Sequence, residues 1–347
     1  MRKRPVRATI KEVAFSAGVS TQTVSRVINN RPDVSPETRK RVQGIITDMD
    51  YQPSALARSL ISQRSNTLGV VTAGLSLFGP SRTLSGIAAA AEKAGYSLLL
   101  KELPSFDTNN VLPIIQSFLS RHVDGIIWAV PEVGQNHAWI RKQTSDFEIP
   151  LVFITMEPRK NISIVYIDNY LGGRMATSHL LEEGYKHIAH ISGPLDWWEA
   201  RQRKAGWQDA LIDAGISVRD AQFIEGNWSA ESGGQGLEKL LEQYPEMDSV
   251  FVGNDQMSLS VIQTARGRGL RVPEDIGVVG FDDIPESAFF CPPLTTIQQD
   301  QLTAARLAVE EIIRTIESIW GGIEPDKPKI NVIPPALVVR QSSSRKI

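Results

Sequence analysis

Apolar positions recur at helical spacing in three short blocks near the start of the chain, then gather into strand-like runs separated by amphipathic stretches. Thr9-Ile10-Lys11-Glu12 has the form of a capping box, and the helix it opens carries Ile10, Val13, Ala14 and Ala17 on one face before Gly18 stops it. Ser20 predicts the cap of a second helix, from Thr21 to about Asn29, with Val24, Val27 and Ile28 as its apolar stripe. Its other face is Thr21, Gln22, Ser25, Arg26 and Asn29, polar groups with little reason to be buried. Ser35-Pro36-Glu37 predicts a third helix start with Pro at the first helical position, and Val42, Ile45, Ile46 and Met49 follow at i, i+3, i+4, i+7.

Beyond Arg64-Ser65-Asn66 the runs Leu68–Val71, Ser97–Leu100, Gly125–Val130, Leu151–Ile154, Ile188–Ile191, Val250–Val252 and Ile276–Gly280 predict strands. Amphipathic stretches at 84–94, 111–120, 169–183, 199–213, 256–268 and 300–319 predict the helices between them. Continuously apolar strands alternating with helices argue for parallel sheets covered on both faces, an α/β fold with enough units for two doubly wound domains. Ligands of such sheets bind beyond the strand C-termini, so Gly253-Asn254-Asp255 and Gly280-Phe281-Asp282-Asp283 draw attention. On spacing alone, Asp255 and Asp283 read equally as caps of the next helix.

Charge sharpens this division. Residues 1–65 carry 12 Lys and Arg against 5 Asp and Glu, a surplus of +7, while the remainder carries −9 and the whole 347-residue chain −2. A small basic head on an acidic body suits a head that neutralises phosphates, although a solvated basic tail has the same charge. Two short helices joined by Ala17-Gly18-Val19 make a helix-turn-helix, and a second helix displaying Gln, Arg and Asn can read base edges in a major groove. A generic three-helix bundle shares the periodicity but leaves that donor-rich face unexplained.

The segment TIKEVAFSAGVSTQTVSRVINNRPDVSPETRKRV followed by YQPSALARSL resembles the lactose-repressor/galactose-repressor (LacI/GalR) family, and the resemblance runs to about residue 340. It implies an N-terminal helix-turn-helix head and two flavodoxin-like parallel-sheet subdomains, as in type I periplasmic binding proteins, facing each other across a ligand cleft. The implied boundaries are 1–52 for the DNA-binding domain and 53–65 for a hinge helix and linker. The N-terminal effector subdomain is 66–165 with 296–328, and the C-terminal one 166–295 with 329–342, the chain crossing near residues 165, 295 and 328. DNA contacts implied are Thr21, Gln22, Thr23, Ser25, Arg26 and Asn29 in the head, with Ala57 and Leu60 in the hinge. Leu60 matches an apolar wedge that kinks the minor groove, and a hinge helix this short forms only with a partner and DNA.

For the cleft the resemblance implies Leu77, Phe78 and Ser81 at the lip, together with Thr155, Arg203, Trp228, Asn254, Asp282 and Gln299. Trp197-Trp198 sit just before Arg203 and are expected to wall the pocket, with Trp198 as the ligand contact. Arg203 and Asp282 can grip hydroxyls from two sides, and Trp228 can stack on a sugar face. By pattern alone, Arg203 also fits a surface ion pair and Trp228 an ordinary core position. Thr155, Phe78 and Gln301 depart from the family's lactose repressor, Thr155 standing where that protein has an acidic contact, which bears on which ligand binds.

The implied function is a homodimeric, cytoplasmic transcription repressor of a carbohydrate-utilisation operon, released from palindromic operator DNA by a small sugar. That effector is galactoside-like or another mono- or disaccharide. A purine- or other metabolite-responsive regulator, a free sugar-binding transport protein and a sugar-modifying enzyme are the competing readings. The basic start of the chain has no apolar stretch behind it, which argues against the transport protein. No apolar run approaches the length of a membrane span, and Cys291 has no second cysteine to pair with. GxSxG, phosphate-loop and EF-hand motifs are missing, and Gly233-Gly234-Gln235-Gly236 is too short for a dinucleotide fingerprint. His187 and His190 would point to opposite faces of one strand, so neither catalysis, a metal nor a cofactor is expected. The final RQSSSRKI lacks the apolar heptads that would favour a tetramer over a dimer.

Overall fold

A computed structural model of the chain describes residues 8–28, 30–51, 64–106, 111–134, 136 and 149–345. It divides into two compact units, Met1–Asn66 and Thr67–Ile347.

In the head, helix α1 (Ile10–Ala17) begins with the expected box: the Thr9 hydroxyl accepts from Glu12 N at 3.3 Å, and Thr9 N donates to the Glu12 carboxylate at 2.7 Å. Gly18 ends the helix at φ 62°, a conformation that costs glycine nothing. Helix α2 (Thr21–Ile28) starts where Ser20 Oγ accepts from Thr23 N at 3.1 Å. Helix α3 (Pro36–Asp48) follows a Ser35 cap. Val13, Ala14, Ala17, Val24, Val27 and Val42 form the buried core, rimmed by Ile45, Ile46 and Met49. These side chains are small, so the core is thin and each buried valine, at about 1.5–3 kcal/mol, is a large share of it.

The body contains two six-stranded sheets. The first comprises β1 (Thr67–Ala73), β2 (Ser97–Leu103), β3 (Gly125–Ala129), β4 (Leu151–Ile154), β5 (Ser163–Ile167) and β11 (Ile330–Ile333), ordered β2-β1-β3-β4-β5-β11 and parallel throughout. The second comprises β6 (Ile188–Ser192), β7 (Phe223–Glu225), β8 (Ser249–Val252), β9 (Gly277–Asp282), β10 (Thr295–Gln298) and β12 (Ala336–Val338). Its order, β7-β6-β8-β9-β10-β12, repeats the first, with only β12 antiparallel. This 2-1-3-4-5 order is the flavodoxin-like winding expected from the sequence, and in each sheet the switch point falls beside the first strand. Both faces of both sheets are covered, as the unbroken burial of β1, β3, β6 and β8 requires.

The chain crosses between the sheets three times, each a few residues later than expected. Strands β5, β10 and β11 complete their ladders first: Ile164 pairs with Ile330, and Thr295 with Val279. The third crossing is therefore Pro334-Pro335 rather than residue 328. Helix α4 (Phe78–Lys93) starts six residues before the expected 84, because Pro80 sits in its first turn, where no backbone N–H is needed. The helix Ala230–Gln243 carries three glycines and was not anticipated. Those glycines let it lie against its neighbours: a Cβ at Gly233 would stand 2.3 Å from Met257 O. Tertiary contact overrides poor helix propensity there.

Candidate functional site

At the C-terminal ends of the strands, a cleft partly open to solvent is lined from both halves of the body. From the first half come Leu77, Phe78, Pro131, Thr155, Tyr166 and Gln301; from the second, Trp197, Glu199, Arg203, Trp228, Asn254 and Asp282, with Gln299 at the crossing.

Arg203 is placed by an unusually close helix crossing. Helices Asn169–Glu182 and Trp198–Asp213 meet at Gly173 and Gly206, where an added Cβ would stand 2.3 Å from Arg203 O and 2.2 Å from Tyr170 O respectively. Contact at backbone distance brings Asn169 Oδ1 within 2.8 Å of Arg203 Nε, which donates to it, while Nη1 donates to Gly253 O. The guanidinium lies 3.7 Å from the Phe281 ring centre and 5.3 Å from that of Trp228. It is thus a buried cation fixed on three sides rather than a surface ion pair.

Asp282 faces Arg203 at 3.9 Å, too long for a direct hydrogen bond, and accepts from Gln299 Nε2. Burial pushes its carboxyl up to about 6, against the opposing pull of Arg203 and Gln299. Its backbone has φ 117°, and the cleft residues Thr155 and Trp228 also have positive φ, 60° and 71°. Positive φ at a β-branched or bulky residue is a strained conformation, and such strain gathers at ligand sites. Trp228 reaches this position by lying over Gly193, where a Cβ would come within 2.1 Å of the indole. Trp197 packs edge-on against it, 5.6 Å between ring centres.

Among the described residues, three polar atoms that belong to the cleft lining are buried with no hydrogen-bond partner: Glu199 Oε2, Trp228 Nε1 and Gln301 Nε2. Glu199 stands in the first turn of its helix, and burial pushes its carboxyl up to about 7. Nothing in its sequence setting distinguishes it from a routine acidic residue at a helix start, so sequence reasoning missed it. Tyr166 and Thr83 were missed too, being a strand residue and a helix residue with no motif around them.

Eight of the ten expected ligand residues meet here: Leu77, Phe78, Thr155, Arg203, Trp228, Asn254, Asp282 and Gln299. Ser81 and Trp198 do not line the cleft. Ser81 is exposed on α4 and its hydroxyl donates to Phe78 O at 3.0 Å. Trp198 turns inward on the first helical turn and packs edge-on to Tyr166, whereas Trp197, still extended at the cap position, lines the cleft. Asn254 lines the cleft but also caps helix Asp255–Gly267, accepting from Met257 N at 2.9 Å and donating to Trp228 O at 3.0 Å. Asp255 and Asp283 are structural: Asp255 accepts from Thr296 Oγ1 and Ile284 N, Asp283 from Arg340 and Gln298.

In the head, Thr21, Gln22 and Arg26 are exposed, Arg26 within 3.4 Å of Asp33. Thr23 and Ser25 are half-buried, and the Thr23 hydroxyl is 3.0 Å from Ser20 Oγ at the cap. Asn29, Ala57 and Leu60 lie outside the described residues. Among the described residues no helix is long and apolar enough to cross a membrane.

A capped helix-turn-helix joined to a two-sheet body with a strand-end cleft defines a ligand-binding DNA-binding regulator. Residues 9–54 match the profile of bacterial regulatory proteins of the lacI family, and residues 177–343 that of a periplasmic binding protein-like domain. The chain is 33% identical over 335 residues to the HTH-type transcriptional repressor PurR of Haemophilus influenzae, covering 96% of this chain and 98% of that one. It is 35% identical over 311 residues to the ribose operon repressor of Escherichia coli, covering 89% and 93%. A crystal structure of the Lac repressor dimer bound to operator and the anti-inducer ONPF superposes with a TM-score of 0.85 at 31% identity, covering 97% of this chain and 99% of that one. The chain belongs to the LacI family: it is a DNA-binding transcriptional repressor with a ligand-binding body, and a regulator rather than an enzyme.

Proposed function

We propose that the protein is a cytoplasmic homodimer that represses a carbohydrate-utilisation operon from a pseudo-palindromic operator and is released by a small sugar bound in the cleft. One observation carries the ligand class: Trp197, Trp228 and Phe78 wall a cleft whose buried polar atoms Glu199 Oε2, Trp228 Nε1 and Gln301 Nε2 are left without partners. A hydroxyl both donates and accepts, so a polyol satisfies such a mixed set while its C–H face packs on the rings. Arg203 and Asp282, 3.9 Å apart, leave room for a hydroxyl shared between them. Thr21, Gln22, Thr23, Ser25, Arg26 and Asn29 read the major groove, with Ala57 and Leu60 in the minor groove. The ribose operon repressor and the CelR–cellobiose complex among its relatives favour the sugar reading.

The similarity to PurR repressors favours a second reading, a purine that tightens operator binding. The test is a thermal-shift panel of ribose, galactose, lactose, cellobiose and hypoxanthine, followed by operator affinity with the best binder. A sugar that raises the melting temperature and weakens operator binding at least fivefold supports induction. A purine that tightens operator binding replaces it with corepression.

A further inference from the structure

Among the described residues, two carboxyls and one guanidinium line the cleft, and the two carboxyls are not equivalent. Asp282 is engaged by Gln299 and faces Arg203. Glu199, buried in the first helical turn, lines the same cleft with Oε2 unpartnered. The charged groups that face Glu199 are Arg203 and Arg201 from its own helix and Glu132 from the segment after β3; Glu132 itself is taken up by Arg159 and by Glu157 N. Among the described residues that line the cleft, one fixed cation set against two acids leaves no surplus positive charge for an anionic ligand. A buried polar atom without a partner is also a cost that a matching ligand group removes.

We propose that Glu199 determines the cleft's specificity: its free carboxyl oxygen takes a hydroxyl of an uncharged sugar and turns away the same sugar when it carries a carboxylate. This rests on the carbohydrate reading above. Whether protonated or ionised, the carboxyl keeps an oxygen able to accept from a hydroxyl, so the neutral ligand is held on both sides of its titration. An anionic ligand meets a neutral carboxyl at low pH and a second negative charge once Glu199 ionises, in a setting where burial makes repulsion strong. Glu199 ionises near neutrality, so the discrimination grows with pH across the physiological range.

The experiment uses the full-length protein with glucose, galactose and their β-disaccharides, each beside its 6-carboxylate, by calorimetry at pH 6 and pH 8. Uronates stay ionised over that span, so any change in preference belongs to the protein. The neutral member of a pair should bind at least tenfold tighter at pH 8, and this ratio should shrink at least threefold at pH 6. Glu199→Gln, which keeps the hydrogen bond and loses the charge, should retain neutral affinity within severalfold and gain at least tenfold for the uronate. Glu199→Ala should lose at least tenfold for the neutral sugar. Asp282 of the same cleft titrates at about 6, so the pH comparison is repeated in Asp282→Asn; a pH-dependent discrimination that persists there belongs to Glu199 even if a Glu199 variant folds poorly, and one that vanishes overturns the assignment. Equal binding of both members at both pH values overturns the role of Glu199 and leaves the carbohydrate reading standing. A panel in which no sugar of either charge binds overturns that reading, and with it the ligand named here.

Discussion

Gly206→Ala tests how the cleft is built. The new methyl carbon would stand 2.2 Å from Tyr170 O and 2.8 Å from Arg174 N, both backbone atoms of the facing helix. Backbone atoms cannot rotate away, so helices Asn169–Glu182 and Trp198–Asp213 must part by about 1 Å to restore ordinary contact. Overpacking typically costs 1–3 kcal/mol, and with backbone on the opposing side we expect about 3 kcal/mol. For a unit of this size that corresponds to a melting temperature lower by about 5 °C. The same displacement loosens Arg203 Nε from Asn169, at 2.8 Å, so effector affinity should fall beyond what the stability loss alone would cause. The control is Gly267→Ala, also helical but with nothing within 4 Å of its added Cβ; it should raise stability by about 0.5–1 kcal/mol. Calorimetric melts of both variants, with effector titration at a temperature where each is folded, check this. A Gly206→Ala protein melting within about 1 °C of wild type would refute the close-crossing argument.

Asp282→Asn bears on stability through pH. The folded carboxyl titrates at about 6 instead of 3.8, so its favourable contribution is complete below the lower value and lost as pH rises through the upper. The stability of Asp282→Asn relative to wild type should therefore rise by about 2 kcal/mol between pH 4 and pH 8, read from melts across that range; a pH-independent difference sinks the assignment. Gln22→Ala should change which bases are preferred in selections on randomised half-sites, because Gln22 is exposed in the first turn of the reading helix; an unchanged consensus refutes it. Operator affinity should fall steeply with salt, as expected for a +7 head displacing counterions, and a flat titration would place those cations away from the phosphates.

What the sequence made legible follows from how local each signal is. The Thr9–Glu12 box, the Gly18 stop and the Pro36 start are decided within four residues, and all three appear as read. Strands β1, β3, β4, β6, β8 and β9 were legible because burial on both faces leaves mostly apolar residues. Strands β5, β7, β10, β11 and β12 were not: β7 and β12 are three residues long, and β5, β10 and β11 carry polar residues such as Ser163, Gln298 and Asn331. In the cleft, strand-end residues such as Asp282 could be placed from the fold's logic. The exchange of Trp198 for Trp197 could not, because adjacent residues at a helix start diverge by about 100° and the starting residue is uncertain by one or two. Ser81 was lost for the same reason: once α4 begins at Phe78, its hydroxyl turns back to the helix and Thr83 lines the cleft.

The third crossing has a topological consequence. Strand β11 closes the edge of one sheet and β12 the edge of the other, with only Pro334 and Pro335 between them. Each half of the body is therefore assembled from pieces that are distant along the chain, and no single cut yields an intact half. A protease that nicks one crossing leaves the halves tethered by the remaining two, so nicked protein should still migrate and bind as one particle until denatured. The same arrangement limits how the halves can move. Three strands of backbone join the halves, one of them two consecutive prolines with φ fixed, so the halves are held together more firmly than a single link would hold them.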